Sequence, residues 1–392
     1  MLQRRSKHGP IGLDIGTAGI KMVQFADQGG DPVLIAAAHC PLPWSAGDAR
    51  PPEEVIRQAI AEALQRHKFQ GRRVVTALGT GEFHMKNIRL PKMPPKEMEA
   101  AVEFEAQDRF GFGDRGAQFQ HIVAGEVRHG NELKEEIIVF AALDSQVETR
   151  LDMLGSLKLE PLAIDVAPCA AARSFFRFLR RAEDVDAVNV FLDVGWRGTS
   201  IVLTHGTKVS FLKMVEAGGQ HFVEAIAKAL SIPHEQAADL RVRILHEAAG
   251  RRATEQESVP NDVRAAATDA VRSVAERIAK DVQMCLRYFA VTFRGQRPQS
   301  LTLVGGEARE PSLMPIIAEG IDIPCTIGHP LRGVGRVGSV GLPDQRAFQP
   351  AWAVACGLAL RGSRWVGHAE PRAPLSGAVS PPASAPAPAG AA

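Results

Sequence analysis

The chain has 392 residues, of which 45% are hydrophobic and 23% charged, as expected for a globular protein of two domains or two lobes. Its 46 basic and 44 acidic side chains leave a formal charge of +2, which excludes strong overall attraction to nucleic acid or anionic lipid. The five cysteines form no CxxC pair and the twelve histidines have no metal-ligand spacing, so we expect neither a disulfide framework nor a transition-metal site. No apolar run reaches the roughly 20 residues that span a bilayer, and we predict a cytoplasmic protein.

The first predicted unit follows a basic leader, residues 1–9, which we expect to be disordered. Residues 10–39 predict three consecutive strands, and the first two, in IGLDIGTAGIKMVQF, are joined by a tight turn. An amphipathic helix over residues 53–67 and a buried strand, RRVVTALG, follow. We expect a first lobe over residues 10–183.

An inserted segment begins near Phe83, where prolines precede a helix start in LPKMPPKEMEAAVEFEAQDRF. A helix, two strands and a second helix predict a small α+β subdomain at about residues 84–158. A strand that continues into a helix, LEPLAIDVAPCAAARSFFRFLR, then returns the chain to the first lobe.

The opening pattern occurs a second time in AVNVFLDVGWRGTSIVLTHGTKVSFLKMVEAGG. This repetition predicts a second lobe of like fold over residues 184–362, with a helical part at about 230–262. A long amphipathic helix is predicted over residues 262–294, followed by a strand, a glycine turn and a helix. The Pro/Ala-rich residues 363–392 are expected to be disordered.

The two aspartate-glycine turns have the composition of phosphate-binding hairpins, because backbone amides converge at a tight tip where small residues allow an anion to approach. An aspartate beside a phosphate is repulsive unless a divalent cation lies between them, so Asp14 and Asp193 predict Mg²⁺ held through water. Lys21 lies on the same strand face as Gly19 and can reach the phosphates as a point charge. The tip residues are Gly16, Thr17, Ala18 and Gly19 in the first turn and Gly195, Gly198 and Thr199 in the second.

A third glycine-rich element, LVGGEA, ends a strand and precedes a helix. Its bare backbone at Gly305 and Gly306 allows a planar ring to approach closely. No GxxxxGK[ST] or GxGxxG motif occurs, which disfavours a P-loop or Rossmann site. A single aspartate-glycine turn is usually structural, so the prediction of nucleotide binding depends on the three elements together.

These three motifs, DIGTAGIK, DVGWRGTS and LVGGEA, resemble in order the two phosphate motifs and the adenosine motif of the actin-like ATPase superfamily. Within it, the sequence resembles the type IV pilus assembly protein PilM family, which is related to the division protein FtsA. The segments LPKMPPKEMEAAVEFEA, GGQHFVEAIAKALSIPHEQAADL and AWAVACGLAL carry this likeness, which covers most of residues 10–362. The resemblance implies an α/β, two-lobed actin-like ATPase (ribonuclease H-like) fold with a small inserted α+β subdomain.

The resemblance also implies ATP and Mg²⁺ as ligands and a scaffold role in pilus or related secretion assembly, peripheral at the inner membrane through partners. It implies that the N-terminal peptide of a PilN-like membrane protein binds in a groove beside the inserted subdomain, and it leaves contacts with other pilus motor components and self-association open. The implied nucleotide-binding residues are Asp14, Gly16, Thr17, Ala18, Lys21, Asp193, Gly195, Thr199, Gly219, Arg241, Gly305, Gly306 and Glu307.

The chain departs from the family pattern in two segments. Ala238 and Arg241 stand where the family often has a glutamate and a lysine that meet the ribose. RFGFGDRGAQ replaces a proline-containing segment after the inserted helix, so the shape of the partner groove is expected to differ.

Hydrolysis would require a residue that orients water. Asp165 in LAIDVAPCAAA is the candidate, since the resemblance places this strand end near the cleft, and a helix N-cap is its alternative role. The sequence leaves the enzyme question open and indicates at most a slow ATPase.

Two other functions stay open on the sequence. A sugar- or acetate-kinase-type phosphotransferase would need a carboxylate base and a pocket built from a large insertion, whereas this insertion is short. An FtsA-like membrane-associated polymer would need an apolar helix face. After Gly362 the chain offers only Trp365, Val366, Leu375 and Val379 among many prolines.

Overall fold

The structure is a computed structural model that describes residues 8–27, 29–43, 51–129, 132–248, 258–293, 297–336 and 349–366. The strands, in chain order, are β1 His8–Ile15, β2 Gly19–Ala26, β3 Val33–Pro41, β4 Arg73–Leu78, β5 His84–Pro91, β6 Ala117–His129, β7 Glu132–Leu143, β8 Glu160–Val166, β9 Val188–Val194, β10 Thr199–His205, β11 Lys208–Val215, β12 Ser300–Val304, β13 Cys325–Ile327 and β14 Gly335–Arg336. The helices are α1 Glu53–Arg66, α2 Pro95–Phe110, α3 Asp144–Ser156, α4 Ala167–Phe176, α5 Gly219–Leu230, α6 His234–Ala248, α7 Asn261–Thr292, α8 Leu313–Glu319 and α9 Ala353–Ala359.

The first lobe contains a mixed sheet in the order β14-β3-β2-β1-β4-β8. β1, β2 and β3 form an antiparallel meander, β4 pairs in parallel with β1, and β8 pairs in parallel with β4. Ile56 and Ile60 lie on one side of α1 and pack with Ile11 and Leu13 of β1. The predicted unit of three strands, a helix and a buried strand is therefore confirmed.

The opposite face of this sheet is covered by α4 and α9. The predicted second lobe, which ends at residue 362, includes α9, but the helix packs on the first lobe. Two glycines allow this packing, because a Cβ on Gly12 would lie 2.2 Å from the carbonyl oxygen of Ala355, and a Cβ on Gly357 only 1.7 Å from that of Ala170. Only the tertiary contact identifies the lobe to which this helix belongs.

The inserted segment forms a sheet in the order β5-β7-β6, covered by α2. The sequence pattern does not predict β5, because Ile88 is the only buried residue of this strand and its apolar and polar side chains do not clearly alternate. α3 connects this subdomain to the first lobe, since Met153 and Leu154 belong to the first-lobe core. The guanidinium of Arg150 on α3 also donates to the carbonyl of Ala77 at 2.7 Å.

The second lobe repeats the topology of the first, with the sheet order β11-β10-β9-β12-β13. β9, β10 and β11 form an antiparallel meander, and β12 pairs in parallel with β9 as β4 does with β1. α7 has 32 residues, a length of about 48 Å, and buries one face that includes Val271, Ile278, Val282 and Phe289. The internal duplication is confirmed at the level of strand pairing.

Some predicted segments have different bounds in the structure, and others lie outside the described residues. His8 and Gly9, assigned to the leader, begin β1, and residues 364–366 form a short 3-10 turn in which Val366 is buried. Residues 1–7 and 367–392, and residues 249–257 of the predicted helical part, lie outside the described residues. Across the described ranges, every helix falls short of the length and apolar character that a membrane span requires.

Candidate functional site

The two aspartate-glycine turns are closed by the same backbone hydrogen bond. The amide of Gly16 donates to the carbonyl of Gly19 at 3.1 Å, and the amide of Gly195 donates to that of Gly198 at 2.9 Å. Each aspartate lies two residues before the first of these glycines, near the end of a central strand. The first tip is accessible, since Thr17 is half-buried and Ala18 exposed.

The charge of Asp14 in the first hairpin raises the pKa of Asp193 in the second. Burial, with a smaller contribution from the charge of Asp14, raises the pKa of Asp193 to about 7, and Lys21 partly opposes both effects. The pKa of Asp14 is also raised by burial, although Lys21 and Arg150 counteract it. The ammonium of Lys21 lies 4.0 Å from Oδ2 of Asp14, its partner in the β1–β2 ladder. Two buried carboxyl groups of like charge near one lysine are electrostatically unfavourable, and a divalent ion would relieve this.

The donor set fits magnesium bound together with a phosphate ligand. Mg²⁺ typically uses one or two carboxylates and fills its other positions with water and phosphate oxygens. Asp14 and Asp193 supply that number, and within the described residues no group of three or more His, Cys, Asp or Glu side chains could hold an ion by itself.

A narrow space of about 60 Å³ lies beside the second hairpin, between its tip, the loop after β4 and the start of α4. Thr80, in the loop after β4, closes it from the first lobe, since its methyl group lies 3.3 Å from the position of a Cβ on Gly198. Pockets for ligands of nucleotide size usually have roughly 300–1,000 Å³, so a nucleotide requires the lobes to move apart. The residues that line the space are Thr80, Ala167, Pro168, Asp193, Gly195, Gly198, Ser200 and Met214.

Five of these lining residues were not predicted from the sequence: Thr80, Ala167, Pro168, Ser200 and Met214. Ser200 could have been found from the strand pattern, because it lies opposite Asp193 in the β9–β10 ladder. Thr80 lies in a loop of a different lobe and has no local signal.

The predicted adenosine loop lies against the second aspartate. Gly305 has a left-handed backbone conformation, with φ +99°, and a Cβ there would lie 2.4 Å from Oδ1 of Asp193. The amide of Glu307 donates to the carbonyl of Val194 at 3.0 Å, which holds the loop at the end of β9. Gly306 is exposed with open space around it. The structure therefore brings the second and third predicted motifs together.

Gly219 and Thr199, predicted to contact nucleotide, support the second hairpin instead. The amides of Gly219 and Gln220 at the start of α5 donate to the carbonyls of Gly195 and Trp196, at 3.0 and 2.8 Å. The hydroxyl of Thr199 is fully buried and donates to the carbonyl of Ala217 at 2.6 Å. These N–H and O–H donors already bond to backbone carbonyls in and beside the second hairpin.

Arg241 and Glu307, both predicted site residues, form a buried ion pair. One guanidinium nitrogen of Arg241 lies 2.7 Å from Glu307 and 2.7 Å from Glu310, and the guanidinium stands over the ring of Phe222. Burial opposes the charge of Arg241, but the two carboxylates outweigh it and raise the pKa. The side chain of Glu307 also fills the space where Gly219 would carry a Cβ, 2.4 Å from its Oε1. Glu310 was missed because its partner is 69 residues away in the chain.

The structure does not support a catalytic role for Asp165. Its Oδ2 accepts hydrogen bonds from Arg361 at 2.6 Å and forms an ion pair with Arg173 at 2.7 Å, and its Oδ1 accepts the amide of Val166 at 2.8 Å. Burial alone would raise the pKa of this carboxyl, but the two arginines outweigh it and lower the pKa. The N-cap alternative fails too, because α4 begins after Val166 and has no side-chain cap. Asp165 is a structural ion-pair residue.

Two lobes of repeated topology, with paired aspartate hairpins and a glycine loop where they meet, define the actin-like ATPase fold. A solved structure described as a "PilM-PilN type IV pilus biogenesis complex" is 27% identical, covers 91% of this chain and 99% of that chain, and has a TM-score of 0.72. The ethanolamine utilization protein EutJ from Carboxydothermus hydrogenoformans is 17% identical, covers 91% of this chain and 90% of its own, with a TM-score of 0.51, and supports the fold alone. The family model of the type IV pilus assembly protein PilM matches residues 12–363. The chain belongs to the type IV pilus assembly protein PilM family.

Proposed function

We propose that this protein is an ATP-binding scaffold of type IV pilus assembly, in which nucleotide and Mg²⁺ bind between the lobes. The observation that carries the proposal is the pair of buried hairpin carboxyl groups, Asp14 and Asp193, each from a different lobe and both close enough to Lys21 for it to lower their pKa values. Mg²⁺ would neutralise the phosphates, with the two aspartates holding it through water. Lys21 would add a point charge, and the open backbone at Gly306 would leave room for the adenosine.

The nucleotide would act on the angle between the lobes. Because the space of about 60 Å³ between the second hairpin and the first lobe is too small for a nucleotide, binding selects a more open arrangement. A ligand held by both Asp14 and Asp193 then sets how far the lobes separate, and with it the relative position of surfaces on each lobe.

The cleft lining favours slow hydrolysis at most. Where α4 reaches the cleft, the side chains are those of Ala167 and Pro168, and neither can orient a water molecule. Asp165, two residues before Ala167, is held by Arg173 and Arg361. Nucleotide binding, rather than rapid turnover, is therefore the proposed signal.

The proposed partner is the N-terminal peptide of a PilN-like membrane protein, since a relative of 27% identity was solved as a PilM–PilN complex. Through it, the protein would be held at the cytoplasmic side of the inner membrane. The inserted subdomain offers two surfaces for docking. One is a cavity of about 440 Å³ against the second lobe that includes Gly125 and Arg128, and the other surrounds Phe104 on α2, which is 75% exposed.

The test measures binding of a fluorescent ATP analogue with Mg²⁺ to the full chain. Asp14→Asn and Asp193→Asn are each expected to weaken binding about tenfold or more, whereas Asp239→Asn, an exposed control on α6, should not. Wild-type protein that fails to bind at millimolar nucleotide would contradict the proposal.

A second measurement addresses the partner. A labelled peptide of the PilN-like protein's cytoplasmic N-terminus is titrated against wild-type protein, Arg128→Glu and Phe104→Ser. Loss of binding in one variant identifies the docking surface, and absence of binding to the wild type contradicts the proposed partner.

A further inference from the structure

Ser200 carries a buried hydroxyl at the proposed magnesium site. The residue is 4% exposed, and its Oγ has no hydrogen-bond partner among the described residues. An unpaired buried hydroxyl costs roughly 1–3 kcal/mol relative to one that is paired, so such a group is seldom kept without a reason.

The position of Ser200 gives that reason. In the antiparallel ladders Ser200 lies opposite Asp193 on one side and Met214 on the other, so the three side chains share one face of the sheet. All three line the narrow space beside the second hairpin, together with Thr80 and Ala167 of the first lobe. Directly opposed side chains have Cβ atoms about 4.5–5.5 Å apart, which allows one ligand oxygen to contact both Asp193 and Ser200.

We propose that Ser200 binds an oxygen of the magnesium–nucleotide complex, either a metal-bound water or a phosphate oxygen, beside Asp193. This assignment rests on the proposed nucleotide binding. A serine hydroxyl can donate to a phosphate oxygen or accept from a metal-bound water. The Ser200 hydroxyl lacks a hydrogen-bond partner among the described residues and gains one when the complex binds. The ligand-free protein is therefore less stable than it would be without this hydroxyl, and the nucleotide binds more tightly.

Thr204 provides a matched control on the same strand. It is fully buried, and its Oγ1 also lacks a partner among the described residues, but it does not line the space beside the second hairpin. Thr204→Val keeps the shape and removes the hydroxyl, as Ser200→Ala does at the site.

The experiment compares wild type, Ser200→Ala and Thr204→Val by thermal unfolding without ligand and by titration with a fluorescent ATP analogue. Both variants should unfold at the wild-type temperature or about 2 °C above it, because each loses an unpaired hydroxyl. Ser200→Ala alone should bind nucleotide with Mg²⁺ about tenfold more weakly. A loss that persists in EDTA identifies a phosphate contact, and a loss confined to Mg²⁺ identifies a metal-bound water.

The contrary outcomes are distinct. Unchanged affinity in Ser200→Ala, or an equal loss in Thr204→Val, would overturn the assignment of Ser200 while nucleotide binding by the wild type stands. A clear drop in the unfolding temperature of Ser200→Ala would indicate a structural role instead. No binding by any of the three proteins would overturn the proposed function and this assignment together.

Discussion

Asp193→Asn tests the electrostatics of the site without any ligand. Burial and the charge of Asp14 raise the pKa of the Asp193 carboxyl from an ordinary 3.8 to about 7. Between these values the folded protein holds a proton that the unfolded chain has released. The stability contributed by the protonated carboxyl is therefore complete below the unfolded pKa and is lost as the pH rises to about 7, with no further change above that. The variant has no such group and should not show this loss.

The magnitude follows from the size of the pKa difference. A shift of about three units corresponds to about 4 kcal/mol, an upper bound for a fully desolvated carboxyl. Asp193 keeps some exposure to solvent, and Lys21 lies near it. We therefore expect the stability of wild type relative to Asp193→Asn to fall by about 1–2 kcal/mol between pH 5 and pH 8.

The assay is urea unfolding of wild type, Asp193→Asn and the exposed control Asp239→Asn at several pH values in this range, without divalent ions. Wild type and Asp239→Asn should lose stability together, while Asp193→Asn should lose less. Asp14→Asn should move the wild-type transition to lower pH, because it removes the like charge that raises the Asp193 pKa. If the free energy of unfolding depends on pH in the same way in wild type and Asp193→Asn, Asp193 does not have a raised pKa in the folded protein.

Three further substitutions test other parts of the structure. Asp165→Asn should destabilise the protein by about 3–5 kcal/mol, because it leaves two arginines without their shared carboxylate. The fraction that stays folded should keep its affinity for nucleotide. Unchanged stability together with loss of ATP hydrolysis would instead indicate a catalytic role for Asp165. Gly357→Ala should destabilise the first lobe by about 3 kcal/mol in thermal or urea unfolding, because its Cβ would lie 1.7 Å from the Ala170 carbonyl oxygen. The control Gly306→Ala has open space around the new Cβ and should leave the stability nearly unchanged. Lys21→Met should weaken binding of the ATP analogue about tenfold, and recovery in Lys21→Arg would show that charge is the cause; equal affinity in all three proteins would exclude a phosphate contact.

Local patterns predicted the strand units well. The segment IGLDIGTAGIKMVQF has buried residues close together, glycines at its turn and a tight backbone closure, and all of these are properties of neighbouring residues. The second copy of the unit strengthened the prediction, because one sequence pattern folding twice predicts one topology twice. β5 was missed for the same reason, since a strand with only Ile88 buried carries almost no local pattern.

Contacts between distant residues could not be predicted. α9 follows the second lobe in sequence but packs on β1, and Asp165 accepts from Arg361, which lies 196 positions later. Thr199 was predicted to contact phosphate, but its hydroxyl donates to the carbonyl of Ala217, 18 positions later.

By itself, then, the sequence determined the two hairpins, their aspartates and the glycine loop, because turn conformation and strand alternation depend on residues close together in the chain. Only the tertiary structure decided that the charge of Asp14 acts on Asp193, that Arg241 is paired with Glu307 and Glu310, and that the Ser200 hydroxyl has no hydrogen-bond partner among the described residues. Burial and ion pairing depend on which distant segments meet, and a linear pattern does not contain that information.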